Sequence, residues 1–218
     1  EHKIRPLDDV RGADIFVLQQ LHGEPGHSIH DKLCRLLFLL GALRDAGAAR
    51  LTAVLPYLAY ARKDRQTKPR DPVTTRYVAK MIESAGTDAL LVAEVHNLAA
   101  FQNAFRIPTV HVDLRALLLD RAADLIGAGS AAVVSPDPGG VKRAQLFREA
   151  LERRLGRPLG AAFLDKRRSA GVVTGDLLVG EVAGAQALIV DDMIASGGTM
   201  VRAARALKAA GASSATAL

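Results

Sequence analysis

The sequence predicts an α/β protein of two domains, each a largely parallel sheet flanked by helices. Three observations predict it. Short apolar runs alternate with longer stretches of helical periodicity, as in repeated strand–helix–strand units. The alternation runs twice and divides near residue 115, which places the domains at 1–115 and 116–218. Clusters of polar and glycine residues follow the apolar runs directly, where parallel sheets bind their ligands. With 218 residues, 49% of them hydrophobic, there is enough apolar material to bury two cores.

The elements follow in order. Asp14 to Gln19 reads as a buried strand. Ser28 to Ala46 reads as a helix, because Leu33, Leu36, Leu37, Leu40 and Leu43 recur at helical spacing. Ser28 with Asp31 three residues on suits its start, and Gly47 suits its end. Cys34, inside this helix, is expected in the core. Leu51 to Leu55 is a second strand, Val73 to Ala85 a helix closed by Gly86, and Ala89 to Val95 a third strand. In the second half, Leu114 to Ile126 is a helix, Ala131 to Val134 a strand, and Val141 to Leu155 a helix. Ala161 to Leu164 and Ala187 to Val190 are strands, and Thr199 to Ala210 is a helix ended by Gly211.

Composition narrows the function classes. The net charge of +6 gathers in short clusters: Arg62 to Arg76, Lys142 with Arg143, and Lys166 to Arg168. With no Trp, three Tyr and six Phe, the chain is poor in the stacking surfaces that single-strand binders use. No zinc-finger or RNA-recognition motif occurs, so nucleic acid is not expected as a partner. The longest apolar run, Leu36 to Leu43, is too short to cross a bilayer, and no membrane partner is expected. A single cysteine and no signal-peptide pattern fit a cytoplasmic location.

Four strand-end segments carry the chemistry. The first is Asp191-Asp192-Met-Ile-Ala195-Ser196-Gly197-Gly198-Thr199. Adjacent carboxylates repel unless a cation or hydroxyls meet them. Glycines let a phosphate approach the backbone, and the helix start offers N–H groups. One half suits vicinal hydroxyls or a metal and the other a phosphate; a sugar phosphate has both. The second is Ser135-Pro-Asp137-Pro-Gly-Gly-Val-Lys-Arg143, where Asp137 either holds Mg²⁺ or satisfies its own turn. The third is His96 with Glu94 two residues before it, either structural or a ligand or nucleotide contact. The other histidines (His2, His22, His27, His30 and His111) read as surface or loop residues. The fourth is a pair of basic segments, Arg62-Lys63-Asp64-Arg65 and Asp165-Lys166-Arg167-Arg168. These are either solvated faces or cations for a polyphosphate. Neither a Walker loop nor a G-x-G-x-x-G occurs.

Together these segments resemble the ribose-phosphate diphosphokinase family, the PRPP synthetases. The resemblance rests, in order, on VRGADIFVLQ, LTAVLPYLAYARKDR, AEVHN, SPDPGGVKRA, LDKRR and IVDDMIASGGT. It implies two phosphoribosyltransferase-like domains, the first on the ATP side and the second on the ribose 5-phosphate side. It also implies active sites near subunit interfaces, in dimers and usually hexamers. Arg62, Lys63, Arg65 and His96 would contact ATP, with Glu1 as the end of an Asp-Gly-Glu nucleotide motif. His96 and Asp137, with Glu94, would bind Mg²⁺. Lys166 and Arg168 would be catalytic, on a mobile loop. Asp191, Asp192 and the turn Ala195 to Thr199 would hold ribose 5-phosphate.

The departures are specific. Glu94-Val95-His96 stands where the family often has Asp-Leu-His, Lys63 where it more often has Gln, and Ala195 where many members are acidic. The small residue at Ala195 resembles the less common subclasses, and the resemblance implies that the family's first strand and last elements lie outside this sequence. The implied reaction transfers the pyrophosphoryl group of MgATP to the 1-hydroxyl of ribose 5-phosphate. The rival readings are a salvage phosphoribosyltransferase and a catalytically silent regulatory relative.

Overall fold

A computed structural model describes the backbone of residues 3–169 and 172–218, and the side chains of 3–165 and 177–218. The chain forms two compact units, the first ending at Asp113 and the second beginning at Leu114.

The first unit alternates strand and helix throughout: β1 (Asp14–Leu18), α1 (Ile29–Asp45), β2 (Arg50–Leu55), α2 (Thr74–Ser84), β3 (Ala89–Ala93), α3 (Leu98–Ala104) and β4 (Thr109–Val112). The strands lie side by side in chain order, all parallel. Such crossovers are right-handed, so sequential order sends the helices to one face. There Val17, Ala53, Leu90 and Val92 pack with Leu36 and Leu40 of α1, Ile82 of α2 and Phe101 of α3. On the reverse face Phe16, Leu18, Val110 and Val112 are exposed. The start of α1 is the expected capping box: Ser28 Oγ accepts the Asp31 N–H, and Asp31 Oδ2 accepts the Ser28 N–H. Cys34 is exposed, not core. It falls outside the stripe of Leu33, Leu36, Leu40 and Leu43 that α1 turns inward.

The second unit contains α4 (Arg115–Leu125), β5 (Ala131–Ser135), a 3₁₀ turn (Pro138–Gly140), α5 (Val141–Leu155), β6 (Gly160–Ser169), β7 (Val172–Val179), β8 (Gln186–Ile189), α6 (Gly198–Ala209) and β9 (Ser214–Ala217). Its sheet runs β7-β6-β5-β8-β9, parallel except for the β6/β7 pair. Both faces are covered. Ile126, Phe147 and Leu151 of the α4 and α5 segments pack on Val133 and Leu188. Met200, Ala203 and Leu207 of α6 pack on Val134, Ala187 and Ile189. The chain therefore leaves β5 toward one edge and β8 toward the other, making β5/β8 the switch point of a doubly wound sheet.

The expectation that the third basic cluster forms a loop after Leu164 is overturned. The backbone stays extended through Ser169, and β6 pairs with β7, Lys166 opposite Asp176 and Arg168 opposite Val173. A register irregularity lies between Arg167 and Arg168. Cross-strand hydrogen bonds, which leave no apolar alternation in the sequence, keep this polar stretch a strand. Two further elements, α3 and β4, are too short to show a period before the fold places them.

Candidate functional site

In the second unit the carboxyl ends of β5 and β8 lie next to each other, and each carries an acidic turn. Val190 N–H donates to Val134 O at 2.9 Å, extending the ladder to the last residue before Asp191. Arg143, in the first turn of α5, reaches the pair: its Nη1 donates to Asp191 Oδ1 and to Asp192 Oδ1, both at 3.1 Å. The cation that two neighbouring carboxylates demand is thus supplied from within the fold. The Asp191 side chain is only 18% exposed. Burial pushes its carboxyl up to about 6, Asp192 adds to the rise, and Arg143 opposes it. Asp191 therefore keeps its proton to higher pH than an ordinary aspartate. After it come Ala195 and Ser196, both exposed, then Gly197 in the left-handed region at φ 74°, which a side chain would strain. Helix α6 begins at Gly198, and no side chain caps it. Its first amides therefore have no intrahelical partner, beside Thr199.

Asp137 caps the turn after β5. Its Oδ1 accepts the Gly140 N–H at 3.1 Å, and its carbonyl accepts the buried Ser135 hydroxyl at 2.6 Å. The local role foreseen for Asp137 is thus present. Gly140 is required by close approach: a Cβ there would lie 2.6 Å from Ser135 Oγ.

In the first unit, the carboxyl ends of β2 and β3 are tied together. Asn97 Nδ2 donates to Asp64 Oδ2 at 2.9 Å, while Asn97 Oδ1 caps α3 by accepting the Ala100 N–H. Arg62, Lys63 and Arg65 are exposed on the β2 side and His96 on the β3 side. Glu94 has a left-handed φ of 53°, uncommon for a residue with a side chain. Its Oε2 lies 3.8 Å from His111 Nε2. His111 is therefore a strand residue facing an acid, not a loop histidine. His30 is the exposed surface residue expected, in the first turn of α1 and hydrogen-bonded to Tyr60. His2 and Glu1 lie outside the described residues, as do the side chains of Lys166, Arg167 and Arg168. Among the described residues no group of three or more His, Cys, Asp or Glu side chains could hold a metal. Magnesium does not require one, since it takes one or two carboxylates with water and substrate oxygens, and the Asp137 carboxylate has that chemistry.

Two family profiles match this chain. That of the N-terminal domain of ribose phosphate pyrophosphokinase matches residues 1–86, and that of the phosphoribosyl transferase domain matches residues 103–217. The chain belongs to the ribose-phosphate pyrophosphokinase family. Among its relatives, a ribose-phosphate pyrophosphokinase of Hyphomonas neptunium is 40% identical over 215 residues, covering 98% of this chain and 66% of the relative. One from Mycoplasma pneumoniae is 39% identical over 209 residues, covering 95% of this chain and 60% of the relative. The chain thus spans slightly less than two thirds of these relatives. The crystal structure of phosphoribosylpyrophosphate synthetase from Mycobacterium smegmatis matches with a TM-score of 0.87 at 33% identity, over 98% of this chain and 66% of that one. Both units accordingly have the phosphoribosyltransferase-like fold expected of this family.

Arg143 is the residue that sequence reasoning missed. It stood only in a basic cluster, and nothing in its spacing revealed that α5 aims it across the sheet at Asp191. Asn97 and Asp64 were missed for the same reason, being far apart in sequence and ordinary in kind.

Proposed function

We propose that this protein transfers the pyrophosphoryl group of MgATP to the 1-hydroxyl of ribose 5-phosphate, giving phosphoribosyl pyrophosphate and AMP. The observation that carries the reading is the Asp191–Asp192 pair clasped by Arg143, at the β5/β8 switch point and directly before the Ser196–Thr199 turn. Carboxylates accept hydrogen bonds from vicinal ribose hydroxyls. The uncapped amides of α6, with the Ser196 and Thr199 hydroxyls, suit the 5-phosphate. Sugar and phosphate are thereby fixed a few residues apart on one rigid turn.

The nucleotide falls to the first unit. Arg62, Lys63 and Arg65 offer three exposed cations to the triphosphate, and His96 stands at the neighbouring strand end. In the reaction the 1-hydroxyl oxygen bonds to the β-phosphorus, the bond from that phosphorus to the α,β-bridging oxygen breaks, AMP departs with that oxygen, and the hydroxyl proton is released. Lys166 and Arg168 on β6 offset the charge developing on the transferred group. Asp137 in the second unit, and His96 and Glu94 in the first, are each candidates to hold Mg²⁺, which would neutralise phosphate charge. Most of the catalysis is positioning, as befits phosphoryl transfer.

The family membership supports further proposals: the enzyme works in the cytoplasm, and it assembles with itself as a dimer or a hexamer. Among the described residues no helix is long and apolar enough to cross a membrane. The test is AMP release from ATP by the natural full-length protein. Release dependent on both ribose 5-phosphate and Mg²⁺ is expected. Consumption of phosphoribosyl pyrophosphate with a nucleobase, and no AMP release, would favour a phosphoribosyltransferase instead. Activity seen only with an active partner subunit would favour a regulatory relative.

A further inference from the structure

The basic segment after β2 is held by a contact that no sequence motif announces. Tyr60 Oη is hydrogen-bonded to His30 Nδ1 at 2.8 Å, across thirty residues of chain, and the two rings lie 6.0 Å apart. Tyr60 has a φ of 63°, a conformation that costs free energy for any residue with a side chain. Such a conformation persists only where neighbouring bonds over-determine it. Several do. The Tyr60 carbonyl accepts the Lys63 N–H at 3.0 Å and the buried Thr75 hydroxyl at 2.8 Å. The Lys63 carbonyl in turn accepts the Thr75 N–H at 3.2 Å. The left-handed turn at Tyr60 therefore decides where Arg62 and Lys63 emerge, and α2 braces it from one side.

The other brace is His30. It lies between Ser28 and Asp31, whose reciprocal capping bonds fix the first turn of α1. A histidine there is rigidly presented, so its bond to the Tyr60 hydroxyl ties the basic segment to a second helix.

We propose that His30 and Tyr60 form a latch that positions Arg62 and Lys63 for the polyphosphate of the nucleotide. The inference rests on the proposed nucleotide site. It makes His30 and Tyr60 positioning residues, since neither needs to touch the nucleotide. Loss of the latch loosens one end of the segment while leaving α1, α2 and the second unit intact. Its effect belongs in nucleotide binding and not in sugar binding.

The experiment uses Tyr60→Phe, His30→Leu, the double variant and His30→Gln in the natural full-length protein. The KM for MgATP, the KM for ribose 5-phosphate, kcat and thermal midpoint are measured for each. Each single variant is expected to raise the KM for MgATP about fivefold, the size of one net hydrogen bond. The KM for ribose 5-phosphate and kcat should stay within about twofold of wild type by the same bond's scale. Because both residues act through one bond, the double variant should be no worse than either single one. His30→Gln, which keeps a hydrogen-bonding group, should recover part of the loss. A merely structural role predicts instead that both KM values shift together with the thermal midpoint. That result, multiplicative effects in the double variant, or an unchanged KM for MgATP would each overturn the latch. Tryptic cleavage after Arg62 and Lys63 on unliganded protein provides a readout independent of substrate. Faster cleavage in both single variants is expected, and unchanged cleavage also overturns the latch. If wild type makes no phosphoribosyl pyrophosphate but cleavage still accelerates, the latch stands and the proposed reaction falls.

Discussion

Replacing Asp191 with Asn should stabilise the fold at neutral pH while destroying the function proposed for it. The carboxyl is raised from 3.8 to about 6, chiefly by burial and then by Asp192. A raised carboxyl favours the protonated form in the folded state. Its contribution to stability is therefore fully present below about pH 4 and is lost as pH climbs through about 6. At pH 7.5 the folded protein carries that cost in full. The shift corresponds to at most ~3 kcal/mol. Solvent screening at this partly open turn lowers the figure to about 1–2 kcal/mol. Asn keeps an acceptor for Arg143 and for the Asp192 N–H, both of which now bond to Asp191 Oδ1, and it removes the repulsion. A chain of this size gains roughly 2–4 °C per kcal/mol. Asp191→Asn should therefore melt about 2–8 °C above wild type at pH 7.5. The gap should fall to roughly half near pH 5 and close only below about pH 4. Thermal unfolding followed by circular dichroism from pH 5 to 8 measures it, with binding of ribose 5-phosphate measured alongside. A variant less stable than wild type at pH 7.5, or a gap that does not change with pH, would refute the reasoning.

Four further outcomes follow from the same geometry. Arg143→Met leaves two partly buried carboxylates without this cation, and should cost about 2–4 kcal/mol, more at pH 8 than at pH 5; denaturant unfolding at both pH values checks it. Gly140→Ala drives a methyl into Ser135 Oγ and should lose about 1–3 kcal/mol, recovered in part by adding Ser135→Ala, as the thermal midpoints of both variants will show. Gly198→Val crowds the start of α6 and should raise the KM for ribose 5-phosphate sharply, an unchanged KM ruling out the phosphate turn. Lys166→Ala should lower kcat by about 10²–10³ with little change in either KM, as removal of a transition-state charge donor does; steady-state kinetics that showed a raised KM and intact kcat would make the residue a docking group.

The sequence by itself determined the α/β class, most of the strands and helices, and the places where function would gather. Apolar periodicity dictates which face of α1 turns inward, the unbroken apolar run of β5 marks a strand buried on both faces, and polar residues that follow such strands gather on the ligand side of a parallel sheet. The Asp-Asp and Ser-Gly-Gly-Thr order was legible for the same reason: its chemistry is local, carried by neighbours in the chain. Tertiary structure alone decided the rest. It extended β6 through the basic cluster that read as a loop, and set β5 beside β8 so that Arg143 could meet Asp191. It also joined Asn97 to Asp64 and His30 to Tyr60. Each of these is a pairing between residues far apart in sequence and ordinary in type. Local propensity carries no information about such pairs, because the free energy that selects them appears only when the sheet has brought them within a hydrogen bond of each other.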